Sequence, residues 1–123
     1  MQTYPLFNQA GRLFAFEIEN VYVGRRRIGA LLARVNDVSE VKVSRSFLPR
    51  GDVHVDFLYG GKQYVVWEPW GDSSRFWIGP REESDEPVDI QALEKVFRSY
   101  RPPLATRVLG SIASVTFLSV KGQ

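Results

Sequence analysis

The sequence predicts an α+β domain in which two main helices pack on one face of an antiparallel β-meander of four to six strands. Three observations indicate this fold class. Several short segments alternate apolar and polar residues, as half-buried strands do. Short Gly-containing turns join most of these segments, and two other segments repeat apolar residues at the helical period. The expected order over residues 1–123, taken as one domain, is β-α-β-β-β-β-α followed by a C-terminal helix or strand.

The first strand and the first helix are predicted before residue 36. Phe14, Phe16 and Ile18 alternate with small or charged residues, which is typical of a strand with one buried face. Asn20 is a favourable N-cap because its side-chain oxygen accepts a hydrogen bond from an amide of the first turn. We therefore expect a helix from Asn20 to about Val35.

Four further strands are predicted over residues 38–47, 52–59, 62–70 and 75–78. Short turns join them, so neighbouring strands must be antiparallel. Gly60 and Gly61 suit a type I′ hairpin turn because both of its central residues need positive φ. The hairpin gives four facing pairs: Phe57 with Tyr64, Asp56 with Val65, Val55 with Val66, and His54 with Trp67.

The second helix is predicted from Asp89 to about Tyr100. Its apolar residues recur at helical spacing, acidic residues precede it, and basic residues follow, which suits the helix macrodipole. Pro102 and Pro103 then end it. Residues 104–109 fit a short helix and residues 114–120 fit a strand, so the choice between a C-terminal helix and a C-terminal strand stays open.

Composition excludes several classes of protein. The hydrophobic fraction of 44% and the charged fraction of 24% are those of an ordinary globular protein. The absence of cysteine excludes disulfides, a thiolate nucleophile and a Cys-ligated zinc site. A single histidine excludes a two-histidine metal site, and no cofactor motif occurs. With no signal-peptide pattern at residues 1–5 and no membrane-length apolar stretch, we expect a soluble cytoplasmic protein.

The net charge of +2 is unevenly distributed along the chain. Residues 1–50 contain eight basic and four acidic residues, whereas residues 51–90 contain three and nine, a net charge of −6. Such an acidic centre argues against a uniformly basic nucleic-acid footprint. Arg25, Arg26 and Arg27 are adjacent, so they should point in different directions around the first helix. Nucleic acid is therefore disfavoured as a partner.

All three tryptophans lie between Trp67 and Trp77, in a segment that also contains Glu68, Asp72 and Arg75. Aromatic rings beside charges of both signs are typical of recognition surfaces, although a small domain also uses such rings to hold a turn on its core. Glu68 and Arg75 are near enough in sequence to pair across the intervening turn.

A row of polar residues is predicted on the sheet face opposite the helices, where Asp52, His54 and Asp56 alternate along one strand. A histidine beside a carboxylate can act as a general base, but no nucleophile motif accompanies this one. A solvated polar face, with His54 resting against Trp67, is the simpler interpretation. We identify no catalytic residue and expect the protein not to be an enzyme.

Two hypotheses of function follow from these features. The first is a non-catalytic protein-binding domain whose partner has a basic surface, by analogy of type with bacterial immunity and inhibitor proteins. Its candidate contact residues are Asp52, His54, Asp56, Trp67, Glu68, Trp70, Asp72, Arg75 and Trp77. The second is a small-molecule or carbohydrate-binding protein, or an enzyme without a recognisable motif, that uses the tryptophans with His54 and Asp56. A homodimer formed through an exposed edge strand is a further possibility.

Overall fold

The computed structural model describes residues 1–44, 53–68, 74–82 and 88–103. Its six strands form one sheet of order β1-β2-β6-β5-β4-β3, with every neighbouring pair antiparallel. The elements are β1 (Thr3–Phe7), β2 (Leu13–Glu19), α1 (Arg25–Leu32), β3 (Val38–Val43), β4 (Val53–Tyr59), β5 (Lys62–Trp67), β6 (Arg75–Pro80) and α2 (Gln91–Arg98). The predicted α+β fold with an antiparallel sheet and two helices is confirmed.

The hydrophobic core lies between the helices and one face of the sheet. Alternate residues of the four central strands, β2, β6, β5 and β4, point toward α1 and α2, because successive side chains of a strand face opposite ways. The buried members of this core include Phe16, Ile18, Val55, Phe57, Tyr64, Val66, Ile78, Ile28, Leu31, Leu32, Leu93 and Phe97. Both helices therefore cover the same face, as expected.

The β4–β5 hairpin has the predicted turn, with positive φ at Gly60 (58°) and Gly61 (81°). Three of the four predicted pairs are confirmed, those at Asp56, Val55 and Phe57. The fourth is wrong, because Val53 pairs with Trp67 and the register shifts between Val53 and Val55. This irregularity, a β-bulge in form, leaves His54 without a partner residue on β5 and turns its side chain toward the helices.

The first helix begins later than predicted. Gly24, with extended dihedrals (φ −92°, ψ 171°), is the N-cap, and α1 runs from Arg25 to Leu32. Asn20 has a different role, since its backbone amide donates to Ser74 O at 2.9 Å and ties the end of β2 to the start of β6. The predicted N-cap at Asn20 is therefore wrong by about one helical turn.

Strand β1 and the place of β2 were not predicted. The meander comprises only β3 to β6, and β2 pairs with β6 through Phe16 with Ile78 and Ile18 with Phe76. Strand β1 adds outside β2 as an edge strand, where Pro5 is tolerated because an edge residue needs no ladder donor on its free side.

The second helix agrees closely with the prediction. Asp89 Oδ1 accepts a hydrogen bond from the Gln91 amide at 2.9 Å, and α2 then runs to Arg98. The C-terminal end of α2 lies beside the start of β1, where the Met1 nitrogen donates to Tyr100 O at 2.7 Å. The open prediction for residues 104–120 lies outside the described residues.

Candidate functional site

Trp67 and Trp77 face each other on neighbouring strands, on the sheet side turned away from α1 and α2, which we call the outer face. Their chain neighbours Val66, Phe76 and Ile78 lie in the core, so alternation places both indoles on the other side. The two residues are paired directly, with ring centroids 6.1 Å apart and planes at 70°. This edge-to-face arrangement is favourable for aromatic rings.

Gly79 provides the space that Trp77 occupies. A Cβ added to Gly79 would lie 2.7 Å from Trp77 Cη2 and 2.7 Å from Ala15 Cβ, far inside ordinary van der Waals contact. The six-membered ring of Trp77 therefore lies along its own strand, against the Gly79 backbone and beside Ala15. The absence of a side chain at Gly79 thus allows the indole to lie low on the outer face.

Four charged or polar groups flank the indoles on the β1 side. The Arg75 guanidinium stacks 3.7 Å from the ring centroid of Tyr4 and pairs with Glu17, Nη1 to Oε1, at 3.1 Å. Tyr4 donates its hydroxyl hydrogen to Glu19 Oε2 at 2.9 Å, and this hydrogen bond raises the Tyr4 pKa. The expected Glu68–Arg75 pair is wrong, because Arg75 reaches across to β2 instead.

The two tryptophans belong to a single row of side chains that crosses the outer face from β1 to β4. It is given by the strand register and consists of Tyr4, Glu17, Trp77, Trp67 and Val53. The first four of these side chains come from β1, β2, β6 and β5 in turn, so the row combines residues that are far apart in the sequence. The tryptophans occupy its middle, over the two central strands of the sheet.

On the β3 side of the outer face, Asp56 pairs with Arg81. Both side chains are accessible, at 38% and 44% of their surface, so solvent weakens this pair. Beside it lies an open depression of about 290 Å³. Its lining includes Glu40, Lys42, Asp56, Leu58, Gln63 and Arg81.

His54 lies on the opposite side of the sheet, in a polar network at the start of α1. Only 7% of the residue is exposed. Its Nε2 lies 3.0 Å from Glu68 Oε1, while its Nδ1 lies 3.4 Å from Arg25 Nη1. Asn20 Nδ2 donates to the second Glu68 oxygen at 3.3 Å. The imidazole also contacts the Phe76 ring edge-on, at 5.4 Å between centroids.

The contacts define the role of this imidazole. A guanidinium can only donate hydrogen bonds, so Nδ1 of His54 is the acceptor and Nε2 carries the hydrogen donated to Glu68. Both ring nitrogens are occupied by protein groups. The hypothesis that His54 acts with Asp56 loses its geometric basis, because the bulge places Asp56 on the outer face and His54 on the helix side. Its predicted contact with Trp67 is wrong for the same reason.

The predicted site residues therefore divide into three groups. Asp56, Trp67, Arg75 and Trp77 lie on the outer face, and His54 and Glu68 belong to the inner network. Asp52, Trp70 and Asp72 lie outside the described residues. Tyr4 and Glu17 were not among the predicted site residues. They reach the tryptophans through the pairing of β2 with β6, and this pairing has no signature in the local sequence.

Comparisons with protein-family models, curated proteins and solved structures found no match for this chain. Among the described residues, no group of three or more His, Cys, Asp and Glu residues is arranged to hold a metal ion. No α-helix in that part of the chain has the length and apolar character needed to cross a membrane.

Proposed function

We propose that the chain binds another protein through its outer face, with Trp67 and Trp77 as the anchoring side chains. The observation that supports this most directly is the adjacency of the two indoles at the middle of the sheet, on the face that α1 and α2 do not cover. Tryptophan is the residue type most enriched among side chains that dominate binding energy, and such residues concentrate near the centre of an interface.

The residues around the indoles suit the rim of an interface. The Glu17–Arg75 pair lies on one side of the tryptophans and the Asp56–Arg81 pair on the other. Rims are polar and solvated, and their charges determine orientation and association rate more than affinity. An apolar centre with charge on both sides therefore has the composition expected of a recognition surface.

The partner we propose is a protein with a basic surface, of the kind that a bacterial immunity or inhibitor protein neutralises. Support comes from the net charge of −6 over residues 51–90. Asp56 can exchange Arg81 for a partner's cation because that pair is accessible. Glu68 is a weaker candidate contact, since both of its oxygens are bound by His54 and Asn20.

The test is affinity capture from extracts of the source cells, followed by calorimetry with the purified, identified partner. Trp67→Ala and Trp77→Ala should each weaken binding by about 2 kcal/mol, which is roughly 30-fold. Phe7→Ala is the matched control because Phe7 is an exposed aromatic residue at the end of the edge strand. Partner binding that is equally strong in the two tryptophan variants and the control would contradict the proposal.

A second candidate is carbohydrate binding at the same indoles. The specific observation in its favour is that the six-membered ring of Trp77 lies against Gly79 while the plane of Trp67 is at 70° to it, which forms a corner for a sugar ring. Titration with a panel of oligosaccharides, monitored by tryptophan fluorescence and the indole N–H signals in NMR spectra, distinguishes the two. Shifts of both indole signals favour a sugar, whereas unchanged signals beside a stable protein complex favour the first proposal.

A further inference from the structure

Three exposed arginines lie on the solvent side of α1 and in the turn that follows it. Arg25 turns inward to His54, whereas Arg26, Arg27 and Arg34 are all exposed. Ile28, Gly29, Leu31 and Leu32 are buried, so Arg26 and Arg27 lie with Ala30 on the opposite side of the helix, and Arg34 follows in the turn after it. Within the described part of the chain, none of these three has an ion pair or a side-chain hydrogen bond.

Helix α2 adds further cations beside this face. Lys95, Arg98 and Arg101 are exposed on α2 or just after it. Both helices pack on the same face of the sheet. The helices run in opposite directions, because α1 starts and α2 ends near the same end of the sheet, where Arg25 meets His54 and Glu94 meets Thr3.

The same layer has little compensating negative charge. Helix α1 contains no acidic residue, and the only one in α2 is Glu94. Glu94 is 8% exposed and accepts a hydrogen bond from Thr3 Oγ1 at 2.7 Å, so it is largely hidden from solvent. It pairs weakly with Arg98, at 3.7 Å. Asp37 and Asp89 are exposed just outside the helices, so among the described residues this layer has six exposed cations against two exposed carboxylates. The layer is therefore basic, although the chain as a whole is close to neutral.

Arg26 and Arg27 do not stabilise the helix on which they lie. Cations in the first turn oppose the macrodipole, and α1 also lacks a side-chain N-cap hydrogen bond. Nor do the three exposed arginines surround an apolar anchor, because the exposed residues between them are Ala30 and Ala33. The exposed large hydrophobic residues of the described ranges, Phe7 and Val21, lie outside both helices. A protein interface needs a desolvated apolar centre, which this face lacks.

We infer that the solvent face of the two helices binds the phosphodiester backbone of nucleic acid, without selecting a base sequence. Five of its six cations are arginines, whose planar fork of donors matches phosphate oxygens bidentately. The small residues between the arginines, Ala30 and Ala33, allow close approach to a backbone and provide no ring for base stacking. The surface is distinct from the outer face, so it adds a second partner to the proposed protein-binding function and does not depend on it.

The experiment measures binding of a fluorescein-labelled DNA duplex by fluorescence anisotropy over a range of NaCl concentrations, with the full chain. The test variant is Arg26→Gln, Arg27→Gln and Arg34→Gln combined. The matched control is Arg12→Gln, Lys42→Gln and Lys62→Gln combined, which removes the same charge from exposed positions outside both helices. Circular dichroism and thermal unfolding establish that both variants are folded.

The expected difference follows from counterion release. Three lost phosphate contacts reduce the slope of log K against log salt by about 2.7, so a rise from about 50 to about 200 mM NaCl weakens the unmodified chain about 40-fold more than the test variant. The control variant should keep the original slope. Equal losses in the two variants would overturn the assignment to this face. Equally strong competition by poly-glutamate and by duplex DNA, at the same charge concentration, would overturn the assignment to phosphate.

Discussion

Replacing Gly79 with alanine tests the close packing beneath Trp77. The added methyl would lie 2.7 Å from both Trp77 Cη2 and Ala15 Cβ, whereas carbon atoms normally meet at about 3.5–4.0 Å. Trp77 can move away by rotating its side chain, but Ala15 belongs to the backbone-anchored face of β2 and cannot. Overpacking of this kind destabilises proteins by about 1–3 kcal/mol, and we expect Gly79→Ala to lower the free energy of unfolding within that range.

The assay is urea unfolding followed by circular dichroism, since tryptophan fluorescence would itself change. Combining Gly79→Ala with Ala15→Gly removes one of the two overlaps and should show a favourable coupling energy of at least about 0.5 kcal/mol, as neighbouring sites do. If Gly79→Ala is as stable as the unmodified chain, the indole does not lie against this glycine. Trp77 would then stand higher on the outer face than the contact with Gly79 implies.

Two further predictions concern buried polar groups. Glu68→Ala should destabilise the fold by about 1–3 kcal/mol, because it leaves the Nε2–H of buried His54 without an acceptor; Glu68→Gln, which keeps an acceptor, should cost less in the same urea assay. Burial raises the pKa values of Tyr59 and Tyr64 above their ordinary value of 10.0. The fold therefore favours the neutral phenols, and stability should fall as pH rises above about 10. Tyr59→Phe should reduce this alkaline loss in unfolding curves measured at several pH values, and an unchanged pH dependence would contradict the interpretation.

Local chemistry made much of the sheet predictable. Gly60 and Gly61 supply the positive φ values that a tight hairpin requires, and the alternation on either side of them then determines which residues face the core. The same alternation predicted the wrong side of the sheet for His54, only a few residues away. The shift between Val53 and Val55 depends on what packs beneath the strand, and that information is not present in the alternation itself.

Other features depended on contacts between distant parts of the chain. Asn20 has the chemistry of an N-cap, but in the fold its amide bonds to Ser74 and its side chain to Glu68. The tryptophans were evident as candidate contact residues from their clustering alone. Trp67 faces Trp77 because the neighbouring strands β5 and β6 are antiparallel. Tyr4 and Glu17 lie beside them only because β2 pairs with β6.

The position of β6 between β5 and β2 also has a consequence for how the outer face forms during folding. Strands β3 to β6 follow one another directly in the chain, whereas the Glu17–Arg75 contact joins residues 58 positions apart in the sequence. Closing such a long loop is entropically costly, so contacts of this kind tend to form late. We therefore expect the row of side chains across the outer face to be completed only when the β1–β2 hairpin docks on β6. A partner that contacts both Tyr4 and Trp67 would then discriminate the finished domain from chains that are still folding.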